Sequence, residues 1–524
     1  MGLCLNPGND GYKEALRSEI YIDKTELIAH MNRLLGTKSK YVCVSRPRRF
    51  GKTMAEEMLQ AYYSRGCDSQ ELFAGKKISR YKSYEEHRNR YQVVHLNMQE
   101  YLSKAKNVED MFALMAKVFV RDARREYGDI DFLTETDLSW CILDVYQMNK
   151  IPFVILIDEW DCIFREYRES REEQEKYLDF LRDLLKDKAY IALAYMTGIL
   201  PIKKYGTHSA LNMFDEYSMT SPRELAEFVG FTAEEVAGLC QEYAMDYEEA
   251  KNWYNGYSFP DAAEIYSPKS IVSAMMTGRY SDYWNQTETF EALRMYIALN
   301  MDGLKDAVLR MLAGAREKIN IRNYANDMVT FRGYEDVLTL LVHLGYLAYD
   351  IDTEEVYIPN KEISREFITA IGSVEWGTVI HSVKKSDSLL EAIWRGDEQE
   401  VAKGIQQAHY ETSVLQYHDE NALSYTISLA LYAAREYYTV IRELPTGKGF
   451  ADMVFFPKQL HADKPVLLVE LKWNKDADTA IRQIQEKNYE GILKDYTGEL
   501  FLVGISYDKE TKEHTCKIWK KCMG

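Results

Sequence analysis

Short apolar runs alternate with charged, helix-spaced stretches from the start of the chain to about Ser270. Tyr41-Val42-Cys43-Val44 leads into a Gly-Lys-Thr turn, and Thr53 to Tyr63 has the spacing of a helix. Val93-Val94-His95-Leu96 predicts a second strand. Phe153 to Ile157 is continuously apolar, the pattern of a strand buried on both faces of a parallel sheet. Tyr190 to Met196 repeats it after the charged helical stretch Glu172 to Lys188. Strand, crossover helix and strand in succession predict a doubly wound parallel α/β sheet over residues 1–270.

The pattern turns helical over residues 271–378. Tyr334 to Leu347 predicts a helix, and Ala348-Tyr349-Asp350 with Val356-Tyr357-Ile358 predicts a hairpin beside it, the outline of a winged-helix-like lid. Residues 379–524 open with helices and become strand-rich after Tyr437, which predicts a further α/β domain.

At 524 residues the chain is long enough for about three domains. Its 46% hydrophobic and 28% charged residues are those of a globular protein. The net charge of −17 argues against a surface coated in nucleic acid, while leaving room for a local basic groove. The eight cysteines show no CxxC pair or zinc spacing and read as reduced thiols. No signal peptide and no membrane-length apolar run is evident, so a cytoplasmic protein is expected, without membrane partners.

Arg46-Pro47-Arg48-Arg49-Phe50-Gly51-Lys52-Thr53 has Walker A spacing between a buried strand and a helix. Backbone N–H groups from Arg48 through Thr53 and the helix start would hold phosphate oxygens. Lys52 would reach the β- and γ-phosphates of ATP, and the Thr53 hydroxyl would ligate Mg²⁺. Arg46 stands where the first glycine is usual, which makes a left-handed turn there harder. Arg46, Arg48 and Arg49 are also expected to add positive charge at the phosphates.

Val154 to Glu159 is an apolar strand ending in two acids, the Walker B arrangement. Asp158 is the candidate Mg²⁺ ligand and Glu159 the candidate general base. Asp161 is a further acidic ligand or a helix N-cap. Thr197, at the tip of the next strand, is a candidate γ-phosphate sensor.

Two apolar strands near the end of the chain carry interior charge: Phe450 to Phe456 holds Asp452, and Val466 to Lys472 holds Glu470 and Lys472. Buried carboxylates need a partner, and Glu470 and Lys472, two apart, share one side of a strand. Asp452 and Glu470 as Mg²⁺ ligands, with Lys472 orienting a water, make a phosphodiesterase constellation. Glu420 could add an acid, and Gln483 with Lys487 on one helix face could touch nucleic-acid phosphate.

Tyr21-Ile22-Asp23-Lys24-Thr25, the Arg46 to Thr53 string, Leu156 to Asp161, Thr197 to Leu200 and Trp253-Tyr254-Asn255-Gly256-Tyr257 occur in that order. On these motifs the chain resembles the bacterial AAA-ATPase-like proteins with a C-terminal nuclease domain of the PD-(D/E)xK superfamily. The resemblance implies an ATPase of the AAA/STAND-like branch and a restriction-endonuclease-like core. It implies that Asp452, Glu470 and Lys472 occupy the D…ExK positions, with Gln483 at a follow-on polar position. It also makes the missing first glycine a family trait.

The expectation is therefore an ATP-binding and ATP-hydrolysing protein with a Mg²⁺-dependent nuclease domain acting on nucleic acid, DNA in the first instance, and gated by ATP. A homo-oligomer is left open. The alternative is a STAND-like nucleotide switch whose C-terminal domain binds nucleic acid or a protein without cutting.

Overall fold

The computed structural model of the protein describes residues 2–202, 211–260, 262–284, 289–299, 301–326, 328–372, 377–411, 420–446, 449–486 and 498–522. The chain divides into two compact units, Met1–Thr289 with Lys318–Arg365, and Phe290–Glu317 with Glu366–Gly524.

The first unit is built on a five-stranded parallel sheet of β1 (Tyr41–Ser45), β2 (Gln92–Asn97), β3 (Phe153–Asp158), β4 (Ile191–Gly198) and β5 (Asp215–Tyr217), in the order β2-β3-β4-β1-β5. Every residue of β1, β3 and β4 is buried, as their unbroken apolar runs require. Each fully buried Leu, Ile or Val of these strands contributes about 1.5–3 kcal/mol. Because all strands run the same way, their C-terminal tips (Ser45, Asn97, Asp158 and Gly198) gather along one edge, where ligands of open α/β sheets bind.

The helix Tyr334–His343 and the hairpin Ala348–Asp350/Glu355–Tyr357 form as the pattern predicts. They do not stand in a domain of their own spanning 271–378: that stretch is divided between the two units. The physical reason is a set of buried polar ties. Tyr257 Oη donates to the Gly345 carbonyl at 2.6 Å, and Glu362 accepts from Tyr283 N (2.7 Å), Trp284 N (3.0 Å) and Ser270 Oγ (2.8 Å). Unpaired burial of these groups would be costly, so they lock 318–365 onto the N-terminal unit.

The second unit holds a mixed sheet whose strands, Tyr438–Thr446, Gly449–Pro457, Val466–Trp473, Glu499–Asp508 and Glu513–Cys522, lie side by side in chain order. All neighbours are antiparallel except Val466–Trp473 with Glu499–Asp508, which are parallel and joined through the helix Ala477–Glu486. One face of the sheet packs Met453, Phe455, Leu467, Val469 and Leu471 against residues such as Leu390, Ile405 and Ile427 of the preceding helices. The other face packs Val454, Val466, Leu468, Leu500 and Leu502 with Ile481 of the crossover helix.

Candidate functional site

The turn after β1 is shaped by two left-handed residues, Arg49 (φ +71°) and Gly51 (φ +89°), and the helix Lys52–Tyr63 starts at once. Gly51 supplies that conformation without the cost a Cβ would bring. Lys52 is buried, and its Nζ donates to the carbonyls of Arg46 (3.0 Å) and Pro47 (2.9 Å). Burial pulls its ammonium below the ordinary lysine value, against the opposing pull of Glu159 and Asp158.

Thr53 Oγ1 donates to Asp158 Oδ2 at 3.0 Å, and Thr197 Oγ1 donates to Asp158 Oδ1 at 2.5 Å. Asp158 is thus fixed from both sides, with Glu159 N on the Thr197 side at 2.9 Å. A hydroxyl and a carboxylate oxygen converging in this way are hard donors, and they fit Mg²⁺, which keeps several waters and takes few protein ligands. Glu159 sits at φ +55°, and its carboxylate accepts from Arg165 Nη2. Burial raises its acid, and Arg165 works against that rise.

A cavity of about 460 Å³ opens on this turn. Arg48, Lys52, Thr53 and Glu159 are among its polar lining residues, and Tyr21, Ile22, Met58, Phe231 and Val272 are among its apolar ones. A pocket lined by both cationic and apolar side chains suits a nucleotide, whose phosphates need cations and whose base needs an apolar wall.

Two expectations are corrected at the turn. Arg46 adds no charge to the phosphate end: its side chain is fully buried, with Nη1 donating to the Ser45 (3.0 Å) and Tyr217 (2.9 Å) carbonyls, and burial lowers it to about 10. Its backbone is not left-handed, so no glycine is required there. Asp161 does not cap a helix with its side chain; Oδ2 accepts from Ile199 N (3.1 Å) and Leu200 N (2.9 Å) and so shapes the exit of β4. Arg49 lines the cavity while donating Nη1 to Tyr283 O at 3.0 Å. Phe50 is buried against Tyr257 (ring centroids 5.4 Å) and Trp284 (6.5 Å), which assigns the Trp253–Tyr257 stretch to core packing beneath the turn.

In the second unit the period of two does the positioning. Val466 and Leu468 face the crossover helix, so Glu470 and Lys472 continue that face; Asp452 does the same two residues before Val454. The pairing of Met453 with Val469 brings Asp452 to the Glu470 end of the neighbouring strand, where it meets Leu471. Lys472 Nζ donates to Glu470 Oε1 at 3.2 Å, Gln483 Nε2 donates to the same oxygen, and Asp452 Oδ2 accepts from Leu471 N at 2.6 Å. Two carboxylates on one face offer the oxygen donors that Mg²⁺ or Mn²⁺ takes. Glu420 heads the helix Glu420–Ala430, with its side chain outside the described residues, and Lys487 lies outside them altogether.

Residues 10–207 match the family model described as predicted AAA-ATPase, and residues 419–516 match the PD-(D/E)XK nuclease superfamily. The chain joins an AAA-ATPase-like segment to a PD-(D/E)XK-like segment. An uncharacterized protein in the vnfD 5′ region of Azotobacter chroococcum mcd 1 is 24% identical over 287 residues, 51% of this chain and 51% of that protein. The chain therefore spans about half the length of that curated relative. Among solved structures, the Aeropyrum pernix ORC2 protein in its ADPNP–ADP complexes is 13% identical with a TM-score of 0.32, over 67% of this chain and 95% of its own. The Aeropyrum pernix ORC1 protein in complex with DNA is 9% identical with a TM-score of 0.24, over 87% and 95%.

Sequence reasoning missed several residues around the nucleotide turn of the AAA-ATPase-like segment. Glu56, one helical turn beyond Lys52, is fully buried, meets His95 Nε2 at 3.2 Å and lies 3.5 Å from Thr197 Oγ1. Burial first, and Asp158 with it, raises the Glu56 acid to about 7, against the lowering pull of His95. Asn97 Nδ2 reaches Asp158 Oδ2 at 3.5 Å, and Arg165 engages Glu159. The available signal was a histidine inside the otherwise apolar run of β2, because a polar residue in a buried strand needs a partner.

Proposed function

We propose that the N-terminal unit binds ATP in the 460 Å³ cavity and hydrolyses it, and that the C-terminal unit cleaves nucleic-acid phosphodiesters under ATP control. In the first site, Lys52 exchanges its two carbonyl partners for phosphate oxygens, and the backbone of the turn holds the remainder. Thr53 and Asp158 would hold Mg²⁺, which neutralises charge on the β- and γ-phosphates. Glu159 accepts a proton from the attacking water once Arg165 yields its carboxylate.

The observation that carries the nuclease reading is the sharing of one sheet face by Asp452, Glu470 and Lys472, with Gln483 on the Glu470 oxygen. Asp452 and Glu470 would hold the metal ion, which supplies charge stabilisation at the scissile phosphate. Lys472 orients the nucleophilic water and offsets the charge that develops on the phosphate. Such a face is expensive to build for packing alone, since an acid and a lysine are buried there together.

The test is Mg²⁺- or Mn²⁺-dependent cleavage of plasmid and single-stranded substrates by wild type and Asp452→Ala. Cutting that disappears in the variant supports the reading. If no metal or substrate elicits cutting while ATP is still hydrolysed, a second reading replaces it, a STAND-like switch that binds without cleaving.

A further inference from the structure

A chain with 82 acidic and 65 basic residues repels polyanions over most of its surface, so a patch of opposite sign is an exception with a cause. One such patch lies on the helix Val108–Tyr127 of the first unit. A groove of about 630 Å³ there is lined by Lys117, Arg121, Arg124 and Arg125, with Glu135 as its one carboxylate. Positions 117, 121, 124 and 125 recur at intervals of three and four, so all four cations project from a single helix face, and all are exposed. Leu114, Val118 and Val120 form the floor.

Neither Asp122 nor Glu126 of this helix lines the groove. Asp122 is turned inward and accepts from Leu3 N (2.7 Å) and Cys4 N (2.8 Å), and Glu126 accepts from Asn6 Nδ2 at 2.9 Å. Arg124 is forked onto Glu135, and Arg121 lies 3.4 Å from buried Asp122. Lys117 and Arg125 have no carboxylate partner among the described residues.

We propose that this face docks the phosphodiester backbone of a nucleic acid; the choice of occupant rests on the nuclease reading of the C-terminal unit. From 117 to 125 the helix rises about 12 Å. At about 3.4 Å per phosphate along one strand, that length faces three or four phosphates. Guanidinium forks match phosphate oxygens in pairs, and long flexible arms follow a backbone without reading bases. The small apolar floor lacks the aromatic anchor on which a protein partner would depend. Binding here positions a polyanion on the first unit independently of any cut made by the second.

The experiment measures fluorescence anisotropy of labelled single- and double-stranded oligonucleotides with the full chain carrying Asp452→Ala, so that nothing is cleaved. Adding Lys117→Gln and Arg125→Gln should weaken binding roughly tenfold or more near 0.1 M salt, and reduce the slope of log affinity against log salt by about 1.4–1.8. Arg121→Gln alone should reduce the slope by about half of that. Unchanged ATP hydrolysis certifies the fold of each variant. An unchanged affinity and slope overturns the proposal, as does wild-type binding that polyglutamate displaces more readily than oligonucleotide does. Failure of the nuclease reading is separable: the chain with Asp452 intact would then cut no substrate with either metal, while the loss of binding in the groove variant would stand.

Discussion

At the scale of single residues, the buried acids of the first unit carry the clearest physical consequences. Glu362 holds two backbone N–H groups and a serine hydroxyl, yet burial outweighs these bonds and raises its acid from 4.5 to about 7. A carboxyl that binds its proton more tightly in the folded state than in the unfolded one weakens folding as pH rises. Stability is therefore lost between about pH 4.5 and 7 and stays lower above that range. Glu362→Gln mimics the protonated form, with an amide oxygen for Tyr283 N and Trp284 N. Thermal melts from pH 5 to 8 should show wild type losing up to about 3 kcal/mol more than the variant. Parallel curves for the two proteins would show that Glu362 does not titrate in this window.

At the scale of elements, the approach of the crossover helix Ala477–Glu486 to the strand Glu499–Asp508 decides whether Gln483 reaches Glu470. Gly504 pairs in register with Glu470, and a Cβ on it would lie 2.7 Å from the Ala477 carbonyl and 3.0 Å from the Ala480 Cβ. Only a residue without a side chain lets the helix sit this close. Gly504→Val should push the helix away, cost about 1–3 kcal/mol in stability, and cut metal-dependent cleavage at least tenfold while ATP hydrolysis persists. Cleavage at the wild-type rate would mean that the Gln483 contact has no part in the chemistry.

At the scale of the whole molecule, two candidate sites sit in two compact units of one chain. Lys52→Ala removes the cation of the nucleotide turn and should abolish ATP binding in titration calorimetry. If nucleotide governs the second unit, the same variant should also lose the difference between cleavage with and without ATP. Wild-type cutting that is equal in both conditions would sink the gating idea and leave two independent activities. The proposed docking groove on Val108–Tyr127 would add a third function at this scale, holding a nucleic acid apart from cutting it.

Local pattern was enough for the elements that carry strong periodicity. Unbroken apolar runs identify β1, β3 and β4, because a parallel strand buried on both faces has no polar side to show. The Gly51-Lys52-Thr53 turn and the Asp158-Glu159 strand end were legible because phosphate and metal chemistry demand those residue types at those spacings. The period of two likewise placed Glu470 and Lys472 on one face before any packing was known. Tertiary structure alone decided the rest. Arg46 reads as a phosphate contact from its neighbours in the chain, and only burial beside β5 turns it into a core residue. The pairing of Glu56 with His95, and of Glu159 with Arg165, joins residues on different elements or across a turn. The attachment of 318–365 to the first unit rests on side chains that meet across about ninety residues. Periodicity reports which way a side chain faces; what it meets there depends on distant chain segments, and the free energy of burying charge is settled by that meeting.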